Sequence, residues 1–181
     1  SMGGLMTMIL AGGHAERLGA CALNDIGPVI DPKGLARIQS YVGGAGPFLS
    51  WSEAAEAIRA VNGVAFPNET GEAFWLTFAR RTCVERPDGL IELDYDPAIS
   101  AAVKSGDVAP PELWPFFDAL DGKPLLLVRG ALTDLLSKDT VAEMKRRRPD
   151  MVHVDVPAVG HAPTLSEPVA RAALDAFFGA S

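Results

Sequence analysis

The chain has 181 residues, of which 48% are hydrophobic and 22% charged, and its formal net charge is −7. This is the composition of a globular chain with a sizeable core, and the negative charge argues against nucleic acid and anionic membranes as main partners. Cys21 and Cys83 show neither paired spacing nor a nearby histidine, so no disulfide framework or zinc site is predicted and a cytoplasmic location is expected.

The chain opens with SMGG (1–4) and an apolar run over 5–11, which Gly12 and Gly13 end. The run is apolar on all sides, so we predict a helix that is buried against a sheet and ends at these glycines. Such a helix should follow a strand, and none precedes it. Ser1 is therefore either an addition made in cloning or the serine of a G-x-S-x-G elbow, where a strand turns sharply into a helix. The glycines favour the elbow, because helix and strand pack closely there.

A buried strand is predicted over 17–25, with Asn24 and Asp25 at its carboxyl end. Pro28 follows soon afterwards and ends regular structure. We interpret the segment after Asp25 as a structural turn.

From residue 31 to residue 114, strand–helix alternation gives way to recurring helical patterns. Ser50 and Glu53 have the spacing of a capping box, which marks a helix start. The predicted elements are helices over 35–42, 50–61, 70–82, 96–104 and 110–120, a tight turn over 87–89 and a short strand over 90–95. We interpret 31–114 as a helical cap, inserted into a core that is formed by residues 1–30 and 115–181.

The sheet resumes at 125–128, LLLV, an apolar run typical of a strand buried on both faces of a parallel sheet. The following loop, GALTDLL, contains Asp134, and Ser137 begins a helix. A further strand over 151–156 leads to His161 in the sequence VGHAP, and a final helix follows. Open α/β sheets place their chemistry in loops at the carboxyl ends of strands, so Asp134 and His161 are candidate site residues.

These features resemble the α/β-hydrolase family. SMGGL is similar to the end of that family's nucleophile elbow, GALTDLL to its acid loop and VGHAPTLSEP to its catalytic-histidine loop. The insertion 31–114 lies where the family carries its cap. The resemblance covers the whole chain, but only from the elbow onward. It implies a mostly parallel, doubly wound sheet, and we expect the family's earlier strands and oxyanion loop to precede this chain.

By this resemblance, Ser1 is the nucleophile, His161 the general base and Asp134 the acid that orients the imidazole, in the chain order that the fold uses. Asp25 is the alternative acid, since some relatives carry the acid after the preceding strand. Because Pro28 indicates a structural turn beside Asp25, we favour Asp134.

The resemblance also suggests further site residues. The backbone N–H of Met2, at the start of the first helix, is the expected oxyanion donor, and the second donor is expected outside this chain. His14 and His153 are expected to have structural roles. Aromatic residues in cap helices more often serve packing than binding. The aromatic candidates for the substrate pocket are Trp51, Phe74, Trp75 and Trp114.

The expected function is that of a serine hydrolase, which cleaves a small, partly apolar ester through an acyl-enzyme. Alternatives on the same fold are a carbon–carbon bond hydrolase, an enol-lactonase, a lyase, a cofactor-free oxygenase or a non-catalytic ligand-binding protein. A hydrolase that uses the α-amine of Ser1 as base is disfavoured, because it requires a sandwich of sheets.

The expected partners are a small-molecule substrate and the preceding part of the same protein, with no nucleic acid and no membrane. A homodimer is left open. No metal or organic cofactor is implied.

Overall fold

The computed structural model of the protein describes residues 1–44, 46–100 and 112–179. The chain divides into two compact units, one of Ser1–Leu35 with Pro110–Ser181 and one of Ala36–Ala109. The second unit falls within the segment 31–114, whose role as a cap stays a prediction.

Twelve helices and strands position the site and the two cores. In chain order they are α1 (Met2–His14), β1 (Cys21–Asn24), α2 (Pro32–Tyr41), α3 (Trp51–Asn62), α4 (Glu72–Thr82), β2 (Cys83–Glu85), β3 (Ile91–Leu93), α5 (Trp114–Asp118), β4 (Leu125–Gly130), α6 (Lys138–Arg147), β5 (Val152–Val156) and α7 (Pro168–Gly179). The helices predicted over 96–104 and 110–120 extend into residues that lie outside the described ones.

The sheet of the first unit is parallel, with the strand order β1-β4-β5. Its register pairs Asn24 with Val128 and Val128 with Val154. All six residues of β4 are buried, because a strand flanked on both sides and covered on both faces has no solvent-facing side. This confirms the interpretation of 125–128 as a central strand and, with it, the α/β fold class.

Helix α1 packs on β1 through one face. A Cβ atom at Gly4 would overlap the side chain of Ile26, so glycine is required for the close approach of helix and strand. Met8 is buried on this face, whereas Met6 and Ile9 are about half exposed. The prediction of a helix buried against a sheet is therefore confirmed for this face, while other apolar residues of α1 are exposed in the described structure.

Strand β1 is shorter than predicted. Residues Ala15–Arg17 form a short 3-10 turn after α1, and the strand begins only at Cys21. The helix predicted after β4 is confirmed: Ser137 caps α6 by accepting a hydrogen bond from the backbone N–H of Thr140 (3.0 Å).

The second unit is built from paired helices and a short hairpin. The capping box is confirmed at the start of α3, where Ser50 Oγ accepts the N–H of Glu53 (3.2 Å). Strands β2 and β3 pair antiparallel around the predicted turn, in which Gly89 has a φ of +82°. The sequence analysis missed β2, because its three residues continue directly from α4.

In the described part of the chain, no helix combines the length and the apolar content needed to cross a membrane.

Candidate active site

Asp25 lies directly after β1, at the carboxyl edge of the parallel sheet. Its φ is +53°, in the left-handed region that aspartate tolerates better than most residues. Its backbone N–H continues the strand pairing by donating to the carbonyl of Val128 (2.8 Å). The residue is fully buried, with 0% exposure. The backbone turn therefore brings a carboxylate under the loops that follow β4 and β5.

His161 lies in the loop between β5 and α7. Asn24 Nδ2 donates to the carbonyl of Pro163 (2.9 Å), which ties this loop to the end of β1. The loop also lies against Gly130, where an added Cβ would overlap the carbonyl oxygens of Val159 and Gly160. The His161 loop is thus held directly over the carboxyl ends of β1 and β4.

Asp25, His161 and Ser1 form a continuous chain of polar contacts. His161 Nδ1 lies 2.7 Å from Asp25 Oδ2, and His161 Nε2 lies 3.1 Å from Ser1 Oγ. Since a carboxylate only accepts hydrogen bonds, Nδ1 carries the proton and Nε2 offers its lone pair to the serine hydroxyl. The arrangement is a serine, a base and an orienting acid within hydrogen-bond distance of one another.

The structure corrects the assignment of the acid. The carboxylate that contacts His161 belongs to Asp25, not to the favoured Asp134. Asp134 lies further along the loop after β4, and its backbone carbonyl is close enough to Gly34 to exclude a side chain there. The proline that suggested a purely structural turn after β1 is compatible with an acid at its start, because the turn itself directs Asp25 towards His161.

The loop after β4 instead provides donors to Asp25. The N–H of Gly130 donates to Asp25 Oδ1 (2.9 Å) and the hydroxyl of Thr133 to Asp25 Oδ2 (2.6 Å). The described residues place no lysine or arginine against this carboxylate. The sequence analysis missed Thr133, and the only available signal was its place in the loop GALTDLL, one residue before the acid that was favoured.

Met2, the predicted oxyanion donor, is the first residue of α1, and Ser1 is its N-cap. The N–H groups of a first helical turn have no partner within the helix, and the helix dipole favours negative charge at this end. The Met2 N–H therefore lies at the positive end of α1, one residue after Ser1, and its role as an oxyanion donor stays a prediction.

Two other histidines lie away from these residues. His14 is exposed beside Glu16 at the end of α1 (3.5 Å). His153 on β5 lies 3.2 Å from Asp155, and burial lowers its pKa although Asp155 opposes that shift. Among the described residues, neither histidine is hydrogen-bonded to Ser1 or Asp25, and their structural roles stay a prediction.

Trp114 lies at the other edge of the sheet. The guanidinium of Arg147, the last residue of α6, stands 4.3 Å from the centre of its ring. Because α6 begins at the carboxyl end of β4 and runs back, its last turn is at the amino edge. Contact of Trp114 with a substrate stays a prediction.

The remaining aromatic candidates belong to the second unit. Trp75 is buried (2% exposed) against Phe66 and Phe74, and its indole N–H donates to the carbonyl of Glu69 (2.8 Å). Trp51 lies under the guanidinium of Arg80. Part of this aromatic cluster lines a cleft of about 430 Å³. Contact of these residues with a substrate stays a prediction.

Across the described ranges, no three or more histidine, cysteine, aspartate or glutamate side chains are grouped so that they could hold a metal ion.

A parallel sheet with an acid and a histidine at its carboxyl edge and a serine at a helix start is the arrangement of the α/β-hydrolase fold, and the chain has this fold. It is 37% identical over 188 residues to a 3-hydroxybutyrate-oligomer hydrolase of Cupriavidus necator. It is also similar to the crystal structure of an α/β hydrolase from Novosphingobium aromaticivorans, with 39% identity and a TM-score of 0.88. No protein-family model matches the chain.

A more distant similarity, to E-2-(acetamidomethylene)succinate hydrolase at 20% identity and a TM-score of 0.78, shows the fold alone and covers 99% of this chain and 64% of that one. Both nearer relatives align with 98% of this chain, which in turn spans 62% of the length of each.

Proposed function

We propose that the protein is a serine hydrolase that cleaves carboxylic esters through an acyl-enzyme. The observation that carries this proposal is the contact chain from Asp25 through His161 to Ser1, with distances of 2.7 and 3.1 Å. A serine hydroxyl becomes a competent nucleophile when an adjacent base takes its proton, and a neutral imidazole can do so near neutral pH.

In the first half of the reaction, Ser1 Oγ attacks the ester carbonyl carbon while its proton moves to His161 Nε2. The buried Asp25 carboxylate stabilises the imidazolium that forms. Negative charge develops on the carbonyl oxygen, and the N–H of Met2 at the start of α1 donates to it. The tetrahedral intermediate then collapses: the bond to the alcohol oxygen breaks, and His161 Nε2 returns the proton to that oxygen.

In the second half, a water molecule attacks the acyl-serine. His161 removes one proton from the water and passes it to Ser1 Oγ as the serine leaves. The products are a carboxylic acid and a regenerated hydroxyl. Every proton that is transferred in these two half-reactions comes from Ser1 or the attacking water and passes through His161.

For the substrate, we propose a short ester between hydroxyacid units. The support is the similarity to the Cupriavidus necator protein, a 3-hydroxybutyrate-oligomer hydrolase. Each link in such an oligomer is an ester between the hydroxyl of one unit and the carboxyl of the next. The leaving group is then an alkoxide, which needs the proton that His161 holds.

The test combines turnover with covalent labelling of the purified protein. We expect steady hydrolysis of the 3-hydroxybutyrate dimer and of short p-nitrophenyl esters, and a single fluorophosphonate adduct on the peptide that contains Ser1. His161→Ala should lower kcat by about 10⁴-fold or more, since serine and base act as a unit. His14→Ala is the matched control, because His14 is exposed and distant from Ser1, and it should retain full turnover.

Two results would overturn the proposal. One is folded protein that neither hydrolyses these esters nor accepts the label, which would indicate a non-catalytic member of the family. The other is undiminished turnover in His161→Ala. Hydrolysis of p-nitrophenyl esters without hydrolysis of the dimer would overturn only the proposed substrate.

A further inference from the structure

Thr133, in the loop after β4, donates a hydrogen bond to the buried carboxylate of Asp25. Its hydroxyl oxygen lies 2.6 Å from Asp25 Oδ2, the same oxygen that contacts His161 Nδ1 at 2.7 Å. Two donors therefore converge on one carboxylate oxygen. The other oxygen, Oδ1, accepts the N–H of Gly130 (2.9 Å).

The proton of the Thr133 hydroxyl has one available direction. The hydroxyl oxygen already accepts the backbone N–H of Leu135 (3.1 Å). A hydroxyl that accepts from an amide on one side directs its own proton to the acceptor on the other, which is Asp25 here. Leu135 is buried, and its carbonyl accepts the N–H of Asp31 (2.9 Å), so the loop that carries Thr133 is itself anchored.

We propose that Thr133 is a positioning residue of the active site, which fixes the direction of Asp25 and thereby the hydrogen bond from Asp25 to His161. This inference rests on the proposed function. Thr133 itself contacts neither Ser1 nor the imidazole, and it acts only through Asp25.

The physical reason is that, among the described residues, no lysine or arginine pairs with this carboxylate. An arginine partner would hold Asp25 in place but would also draw its charge away from the imidazolium. A neutral hydroxyl and an amide N–H hold the carboxylate in place while leaving a full negative charge beside His161. Removal of the hydroxyl frees Oδ2 to rotate or to recruit water, and it changes the strength of the bond to His161 Nδ1.

The experiment compares Thr133→Val, Thr133→Ser and Thr140→Val in the purified protein. Valine preserves the shape of threonine without its hydroxyl, and serine restores the hydroxyl. Thr140 is the matched control, since it is a buried threonine of the same unit whose hydroxyl contacts Ser137 (2.9 Å). The measurements are kcat and KM for ester hydrolysis and the downfield proton resonance of His161 Nδ1–H.

For Thr133→Val, we expect kcat to fall about ten- to hundredfold and KM to stay nearly unchanged. This range corresponds to the free energy of a hydrogen bond to a charged group. The Nδ1–H resonance should move or broaden. Thr133→Ser should recover most of kcat and the original resonance, and Thr140→Val should leave both unchanged.

The inference is overturned if Thr133→Val keeps the wild-type kcat and resonance, or if it matches Thr140→Val in both. A uniform loss of folded protein with an unchanged resonance in the folded fraction would indicate a structural role and also overturn it. Failure of the proposed function is distinct: the unmodified protein would then lack ester turnover, whereas the resonance still reports on Thr133.

Discussion

Two groups of carboxylates in the first unit are held in different ways. Among the described residues, Asp25 at the carboxyl edge of the parallel sheet accepts hydrogen bonds from the N–H of Gly130, the hydroxyl of Thr133 and His161. At the amino edge the carboxylates meet arginines, and hydrogen bonds from Arg146 and Arg147 lower the pKa of Glu143 to about 2.

Arg148 also pairs with a carboxylate, and its own side chain is buried. Its guanidinium donates to the backbone carbonyls of Leu120 (2.6 Å) and Lys123 (2.8 Å), and it pairs with Asp150 (2.7 Å). This pairing lowers the pKa of Asp150. A carboxylate that is neutralised by arginine stabilises structure, whereas one that is held by neutral donors keeps its charge for an imidazolium. The carboxylates that pair with arginines, including Asp155 with Arg129 on the strands themselves (3.1 Å), therefore serve folding, whereas Asp25 is held for the proposed chemistry.

The largest expected effect separates the two candidate acids, Asp25 and Asp134, of which the sequence analysis favoured the wrong one. Asp25→Asn should lower kcat for ester hydrolysis by about 10⁴-fold, because an amide no longer fixes the tautomer of His161 or stabilises its cation. Asp134→Asn should stay within about twofold, as for a substitution outside the contact chain. Steady-state kinetics on the two variants, with thermal unfolding as a check of folding, makes the comparison. A larger loss of kcat in Asp134→Asn than in Asp25→Asn would identify Asp134 as the acid.

A smaller loss of kcat is expected when the backbone at the carboxyl edge of the sheet is distorted without any change of charge. In Gly130→Ala, the new Cβ meets the backbone of Val159 and Gly160, so the His161 loop must shift. Displacement of a catalytic group by about 1 Å costs about 10²-fold in kcat. Gly19→Ala is the control, since nothing lies within 4 Å of a Cβ there. A fully active Gly130→Ala variant would show that the loop position tolerates displacement.

The amino edge should respond in stability alone. Arg148→Leu leaves two backbone carbonyls without their donor, at a cost of about 2–3 kcal/mol, which corresponds to a fall in Tm of about 5–10 °C for a chain of this size. Well below the melting temperature, kcat should be unchanged. Thermal unfolding and kinetics on one preparation test both statements. A large loss of kcat in the folded variant would mean that the two edges are coupled.

Much of the fold follows from local patterns in the sequence. The run 125–128 is apolar without interruption, which only a strand covered on both faces requires, and β4 is such a strand. Ser50 and Ser137 mark helix starts by side-chain chemistry that acts over three residues, so both caps were predictable. Interactions this short in sequence depend little on the rest of the chain.

The sequence also determined two of the three members of the contact chain. Ser1 stands before glycines at a helix start, and His161 lies in a short loop between a strand and a helix. The choice between Asp25 and Asp134, and the part played by Thr133, depended on which loop reaches His161 across parallel strands more than a hundred residues apart in the chain. Only the register of β1 against β4 and the left-handed turn at Asp25 decide that, because the direction of a side chain at a strand end is set by tertiary packing and not by its neighbours in sequence.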